Sequence, residues 1–327
     1  MPYEFDLIKR FLQHTKVARS DTILGSGDDC AIVKIPPGFV MAISVDTSVE
    51  GTHFLPDTDP YDIGYKSVAV SLSDSAAMGA TPAWLTLALT LPRQNQAWLD
   101  RFADGVFELL NRYNIELIGG DLTRGPLSIT TQIHALLPEG KALKRSGAKL
   151  GDDIYITGTL GDAGLALQLL KTQQAPDAFL QKRLNRPIPR IEIGQALLDI
   201  ASATIDLSDG LIGDLGHILE CSGVGAEVEL DKIPMSGALQ CHFGALSCHS
   251  RAGGNPVDLL RFALAAGDDY ELCFTAPLKH RQAIQEISKQ HQTPITCIGS
   301  ITQQHGLTLL QANGQVFKPN WKGFEHF

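Results

Sequence analysis

Apolar positions along this chain change their spacing in a way that separates helices from strands. At the start, Phe5-x-x-Ile8-x-x-x-Leu12 recurs at helical intervals, which predicts an amphipathic helix. Two short apolar runs follow, Ala31 to Ile35 and Val40 to Val45. Both are too short for a helix and read as strands, the second ending at Asp46. Asp62 to Met78 is rich in Ala and Ser, carries Asp74, and reads as a closely packed helix. Leu85 to Leu91 predicts a strand, and Gln96 to Tyr113 a helix with Phe102, Val106, Leu109 and Leu110 on its apolar face. Ile115 to Ile118 and Ser128 to Leu137 predict two further strands.

Between Pro138 and Gly151 the pattern turns polar and basic, and a new strand opens at Ile154 to Thr157. The expected organisation is therefore an N-terminal domain over 1–137, a linker over 138–150 and a C-terminal domain over 151–327. In the second half, helices are expected at Ala163 to Lys171, Ile191 to Ile200 and Leu211 to Glu220, with a strand at Thr204 to Leu207. Pro234 to Pro256 is rich in Gly, Ser, His and Cys, lacks a period, and reads as an irregular excursion.

Composition refines this picture. With 327 residues and 44% hydrophobic content, the chain can bury the cores of two domains. Its charged opening has no apolar signal region, and Leu85 to Leu91 is too short to span a bilayer, so the reading is a cytoplasmic protein with no membrane partner. Six cysteines without a C-x-x-C pair read as reduced thiols. A net charge of −9 argues against nucleic acid as a partner, which needs a basic footprint. A polyanionic ligand must arrive with its own cations.

Carboxylates recur beside apolar runs: Gly27-Asp28-Asp29, Val45-Asp46, Ser73-Asp74, Gly119-Gly120-Asp121, Asp206-Leu207-Ser208-Asp209-Gly210 and Gly267-Asp268-Asp269. Any one of these fits an ordinary turn or helix cap. Together they argue for hard divalent cations, magnesium first, because clustered carboxylates repel one another unless oxygen-loving ions offset the charge. Zinc is disfavoured by the oxygen donors, and Cys241-His242 with Cys248-His249 matches no familiar zinc spacing. There is no G-x-x-x-x-G-K-[ST], and Gly25-Ser26-Gly27 breaks the dinucleotide pattern at Cys30. A nucleotide would therefore bind through metal ions and scattered donors such as the planar fork of Arg145. His53 could meet an anion or serve structure, and Trp321 could stack on a ring or dock the tail.

In order, Gly27-Asp28-Asp29-Cys30-Ala31, Ser44-Val45-Asp46-Thr47, Gly51-Thr52-His53-Phe54, Leu72-Ser73-Asp74, Gly119-Gly120-Asp121, Arg145-Ser146-Gly147, Asp206-Leu207-Ser208-Asp209-Gly210-Leu211, Asp269-Tyr270-Glu271-Leu272 and Trp321-Lys322-Gly323-Phe324 resemble the thiamine-monophosphate kinase family nearly end to end. The resemblance implies a two-domain fold like that of aminoimidazole ribonucleotide synthetase, with an α/β N-terminal half that dimerises by joining sheets and an α+β C-terminal half. It implies ATP-dependent conversion of thiamine monophosphate to thiamine diphosphate in a homodimer, with several magnesium ions, and leaves a potassium requirement open. By the same resemblance, Asp29, Ser44, Val45 through its backbone, Asp46, Asp74, Asp121, Asp206 and Asp209 fall among the magnesium ligands. Gly120, Asp121, Arg145 and Ser208 fall at ATP, and His53, Asp268 and Trp321 at thiamine phosphate. The chain departs from the family's pattern at Asp268, Leu122 and Phe324, where Glu, Thr and Tyr are common.

Overall fold

The computed structural model describes residues 9, 11–14, 16–244 and 256–321, which fall into two compact units: 1–75 with 80–142, and 76–79 with 143–327. Phe5 and Ile8 of the expected first helix lie outside the described residues, while Phe11 and Leu12 are helical. Much of the 234–256 excursion also lies outside them.

In the first unit, β1 (Thr22–Leu24) pairs with β2 (Ile32–Val33), and a four-stranded sheet runs β3 (Phe39–Val49), β6 (Ser128–Pro138), β4 (Thr81–Leu91), β5 (Glu116–Arg124). The longer helices described in this half are α1 (Pro60–Ala77) and α2 (Gln96–Arg112). The expected apolar face of α2 holds, since Phe102, Val106, Leu109 and Leu110 are all buried. Asn95 caps it by accepting the Trp98 N–H at 3.1 Å. The helices pack closely where both lack side chains: a Cβ on Gly64 would lie 2.2 Å from Phe102 O, and one on Gly105 2.0 Å from Tyr61 O.

Two strand ends need correction. Asp46 does not end β3, which continues to Val49, because Ser44, Asp46 and Ser48 keep one face of a period-2 pattern while Val45, Thr47 and Val49 keep the other. Gly119, Gly120 and Asp121 likewise lie inside β5, paired in register with Thr86, Leu87 and Ala88 of β4. Both carboxylates therefore stand on sheet surfaces instead of loops.

The second unit is a seven-stranded sheet in the order β13 (Val316–Phe317), β12 (Gly306–Leu310), β9 (Gly225–Glu229), β11 (Ile295–Thr302), β7 (Asp153–Thr157), β10 (Leu272–Ala276), β8 (Ala203–Asp206). Its longer helices are α3 (Asp162–Lys171), α4 (Ala178–Asn185), α6 (Leu211–Ser222), α8 (Pro256–Ala265) and α9 (Arg281–Gln290). Two short ones are α5 (Ile191–Ala196) and α7 (Gly237–His242). Thus α5 stops before the expected Ile200, and part of the expected irregular excursion is helical. Asp268 and Asp269 precede β10 instead of following a strand. One face of the sheet buries a core that includes Ile154, Ile156, Ile205, Leu215, Ile218 and Ile298.

Cys241 is disulfide-bonded, which corrects the expectation of six reduced thiols, whereas Cys30, Cys221, Cys273 and Cys297 are free. A large core removes the need for a staple but not the opportunity for one. Among the described residues, no helix is long and apolar enough to cross a membrane.

Candidate active site

The first unit contains a cavity of about 650 Å³ between the β1–β2 turn and β5. Asp28, Asp29 and Cys30 line it from the turn, Gly119, Gly120 and Asp121 from β5, and Leu87, Leu89, Leu99, Leu117 and Ile118 give it an apolar floor. Ser26 Oγ donates to Leu117 O at 3.0 Å and ties the turn to the strand. Gly120 is required by close approach, since a Cβ there would lie 2.0 Å from Leu87 O. Asp29 and Asp121 are exposed to solvent at this site. An apolar floor under an acidic rim suits a ligand with a flat apolar part and a phosphate part, provided cations accompany the phosphate.

A second group lies where β3 faces α1. Ser44 and Asp46 share one strand face, and Ser71 and Asp74 lie three residues apart on the helix. Ser44 Oγ donates to the Asp74 carboxylate, and Ser71 Oγ donates to Asp46 Oδ2 at 2.7 Å. Thr131, opposite Asp46 in the ladder, shares a 2.8 Å hydrogen bond with Ser71. Burial raises the Asp46 pKa to about 6, the Asp74 charge adds to the rise, and the Ser71 hydroxyl opposes it. Val45, on the opposite face, is 61% exposed, so only its backbone shares the neighbourhood of these groups.

His53 closes the turn after β3: its Nδ1 accepts the Val49 N–H at 3.0 Å, and its backbone N–H donates to Val49 O at 2.9 Å. One ring nitrogen is thereby committed to the backbone, which fixes the orientation of the imidazole.

In the second unit, two loops zip together through their backbones. Asp268 N–H donates to Ser208 O at 2.8 Å, Tyr270 N–H to Leu207 O at 2.9 Å, and Leu207 N–H to Glu271 O at 2.8 Å. Sequence-distant Ser208, Asp209 and Asp268 are therefore neighbours, and buried Asp206 sits at the end of β8 beside them. The return loop is unusual, with Gly267, Asp268 and Tyr270 at φ +70°, +64° and +50°. Gly267 has no substitute here, because a Cβ would lie 2.4 Å from Ser208 O. Asp214 was missed from sequence. Its Oδ2 accepts both the Asp209 and the Gly210 N–H, at 3.0 and 3.1 Å, and so shapes the turn that opens α6. An acid in the first turn of a helix is the signal that would have found it. Burial raises its pKa to about 7, against the pull of those two N–H groups and of Arg145.

Beside these loops, Asp162, Asp269 and Glu271 are buried with Arg183 and Arg190. Arg190 clamps Glu271 through Nε at 2.7 Å and Nη2 at 2.6 Å, and Arg183 Nη1 reaches the same carboxylate at 3.2 Å. Asp269 takes the Gly161 N–H, and its pKa is raised well above the usual carboxylate range by burial. Trp321 packs on the core of this unit, its ring 6.2 Å from that of Phe317, while Lys322 to Phe327 lie outside the described residues.

Among the described residues, no three His, Cys, Asp or Glu side chains converge as a metal-holding group. The donors that do meet, Ser44, Asp46 and Asp74, offer only oxygen, and burial with the Asp74 charge raises the pKa of Asp46. That chemistry fits a hard cation such as magnesium.

Residues 27–136 match the model of the AIR synthase related protein N-terminal domain, and residues 149–310 that of its C-terminal domain. Thiamine-monophosphate kinase of Escherichia coli K12 is 51% identical over 330 residues, covering 99% of this chain and 98% of that one. The chain belongs to the thiamine-monophosphate kinase family. The solved thiamine-monophosphate kinase of Stenotrophomonas maltophilia K279a is 41% identical, covers 96% of this chain and 98% of its own, and superposes with a TM-score of 0.85. A further solved relative, AaThiL complexed with AMPPCP and TMP, is 30% identical over 99% of this chain and 96% of its own, with a TM-score of 0.76. The two-domain fold expected from the sequence is thus the fold of the thiamine-monophosphate kinase family.

Proposed function

We propose that this phosphotransferase moves the γ-phosphoryl group of ATP directly onto the phosphate of thiamine monophosphate, giving thiamine diphosphate and ADP. A phosphate oxygen of the acceptor forms a bond to the γ-phosphorus while the bond from that phosphorus to the β–γ bridging oxygen breaks. The electron pair leaves on ADP. No protein nucleophile is needed, because the reaction chiefly demands alignment and neutralised charge. It is the final step in making thiamine diphosphate.

In the first unit, Asp29, Ser44, the Val45 backbone, Asp46, Asp74 and Asp121 would hold magnesium, and Gly120 with Asp121 would meet ATP. In the second, Asp206 and Asp209 would hold magnesium, and Arg145 with Ser208 would meet ATP. His53, Asp268 and Trp321 would contact thiamine phosphate. Bound magnesium offsets the repulsion between two anionic reactants. The protein's own part is to fix these oxygens: Ser71 orients Asp46, and the 206–210 and 267–271 loops hold Ser208, Asp209 and Asp268 together.

The observation that supports this reading best is the cavity that gathers Asp29, Gly120 and Asp121 from sequence-distant segments. A homodimer is supported by β3, an edge strand whose Ile43 and Val45 are 57% and 61% exposed. The charge of −9 favours small anionic partners with their cations over nucleic acid, and we place the protein in the cytoplasm.

Phosphorus NMR of protein, magnesium, ATP and thiamine monophosphate tests the proposal, with each reactant omitted in turn and KCl present or absent. A new diphosphate appearing with ADP is the expected result. No product from chain that binds ATP would redirect the reading to sister enzymes with other acceptors.

A further inference from the structure

The loop that carries Arg145 is anchored at its edges. Lys144 O accepts the Thr204 N–H at 2.8 Å, and Ala148 is buried in the core of the second unit. Gly147, at φ +124°, presses on the backbone before β8, where a Cβ would lie 2.4 Å from Ser202 O. Between these anchors, Arg145 to Gly147 are exposed. Their polar tie is the hydroxyl of Ser222, the last residue of α6. Ser222 Oγ accepts the Gly147 N–H at 3.1 Å and the Ala148 N–H at 3.2 Å, and donates to Arg145 O at 3.4 Å. A serine hydroxyl has one proton to give and two lone pairs to offer, so its whole capacity is spent on this loop.

We infer that Ser222 is a positioning residue that holds Arg145 in place for the phosphates of ATP. The inference rests on the reading that Arg145 meets ATP. Helix α6 joins that loop to the turn of Asp209 and Gly210, whose N–H groups Asp214 accepts in the helix's first turn. Ser222 fixes the backbone that carries the exposed Arg145 side chain. Without the hydroxyl, two N–H groups lose their acceptor and the loop keeps only its edge anchors. The consequence falls on Arg145 and through it on ATP.

Steady-state kinetics of a four-variant set tests this: Ser222→Ala, Ser222→Thr, Arg145→Ala and the double variant Ser222→Ala/Arg145→Ala. Ser222→Ala is expected to raise KM for ATP about three- to tenfold, the size given by one or two ordinary hydrogen bonds. Its kcat, its KM for thiamine monophosphate and its melting temperature should stay near those of the parent, and Ser222→Thr should restore KM for ATP. In the Arg145→Ala background, Ser222→Ala should add nothing, because coupled residues are non-additive. If Arg145→Ala raises KM for ATP and Ser222→Ala does not, the positioning role is overturned while the ATP reading of Arg145 stands. If Ser222→Ala raises both KM values or lowers the melting temperature to match, its role is general structure and the inference fails. Should Arg145→Ala leave KM for ATP unchanged, the reading of Arg145 falls first and takes the inference with it.

Discussion

Two acidic neighbourhoods in this molecule handle the same electrostatic problem in opposite ways. Beside β10, Asp162, Asp269 and Glu271 are buried with Arg183 and Arg190, three acids against two guanidinium groups. Burial raises the pKa of Asp269, the Arg183 charge and the Gly161 N–H oppose the rise, and the acids meet guanidinium groups of the chain itself. Between β3 and α1, the groups that set the acidity of Asp46 are burial, Asp74 and the Ser71 hydroxyl, none of them a cation. A hydroxyl and a second carboxylate, not guanidinium groups, face Asp46 there. Acidic residues alone therefore do not mark a metal site, and internal arginines distinguish this cluster from the one we propose to hold magnesium.

Glu271→Gln should break the contrast most severely. It leaves two buried guanidinium groups short of a partner, and a loss of about 3–5 kcal/mol in urea unfolding is expected. A loss below about 1 kcal/mol would show that the arginines are satisfied by other groups. Next in size, Asp121→Asn should lower kcat about 100-fold or more, the scale of removing one group that stabilises transferred charge, with little change in melting temperature. Near-normal turnover at saturating magnesium would remove Asp121 from the site.

A smaller effect, at Asp46, concerns pH. Its folded pKa of about 6 lies above the ordinary 3.8, so the folded chain binds more protons than the unfolded chain between those values. The metal-free protein should lose stability as pH rises from about 4 through 6, magnesium should restore it at neutral pH, and Asp46→Asn should flatten the profile. Melting curves across that window with and without magnesium check all three. A profile in Asp46→Asn identical to the parent's would assign the pH effect to another group.

Much of this was readable from sequence where periodicity was local. Helix α2 and strand β4 follow their apolar spacing closely; within the first unit Asp29 and Asp121 line one cavity, and within the second the loops of Ser208 and Asp268 meet. The strand ends were misread because Asp46 and Asp121 are polar positions within continuing alternation, a pattern that Ser44, Asp46 and Ser48 display once the next residues are counted. Strands β9 to β13 were not read from the sequence, and their order depends on pairing between distant segments, such as Gly299 with Val228. Asp214 had only its place in a helix's first turn to mark it, and the roles of Ser222 and Glu271 were hidden for a related reason. Each matters through backbone groups or arginines that only the folded chain brings to it.

Helix α6 works as a ruler. Asp214 grips the Asp209–Gly210 turn in its first turn, and Ser222 grips the Arg145 loop at its last residue, so the intervening turns set the spacing between two loops read here as phosphate contacts. Twelve residues at 1.5 Å each give a rod of about 18 Å, and one residue more would also swing one grip by about 100° relative to the other. Length in this helix is therefore under tighter constraint than the identity of its exposed side chains, and a single insertion should cost more than several surface substitutions.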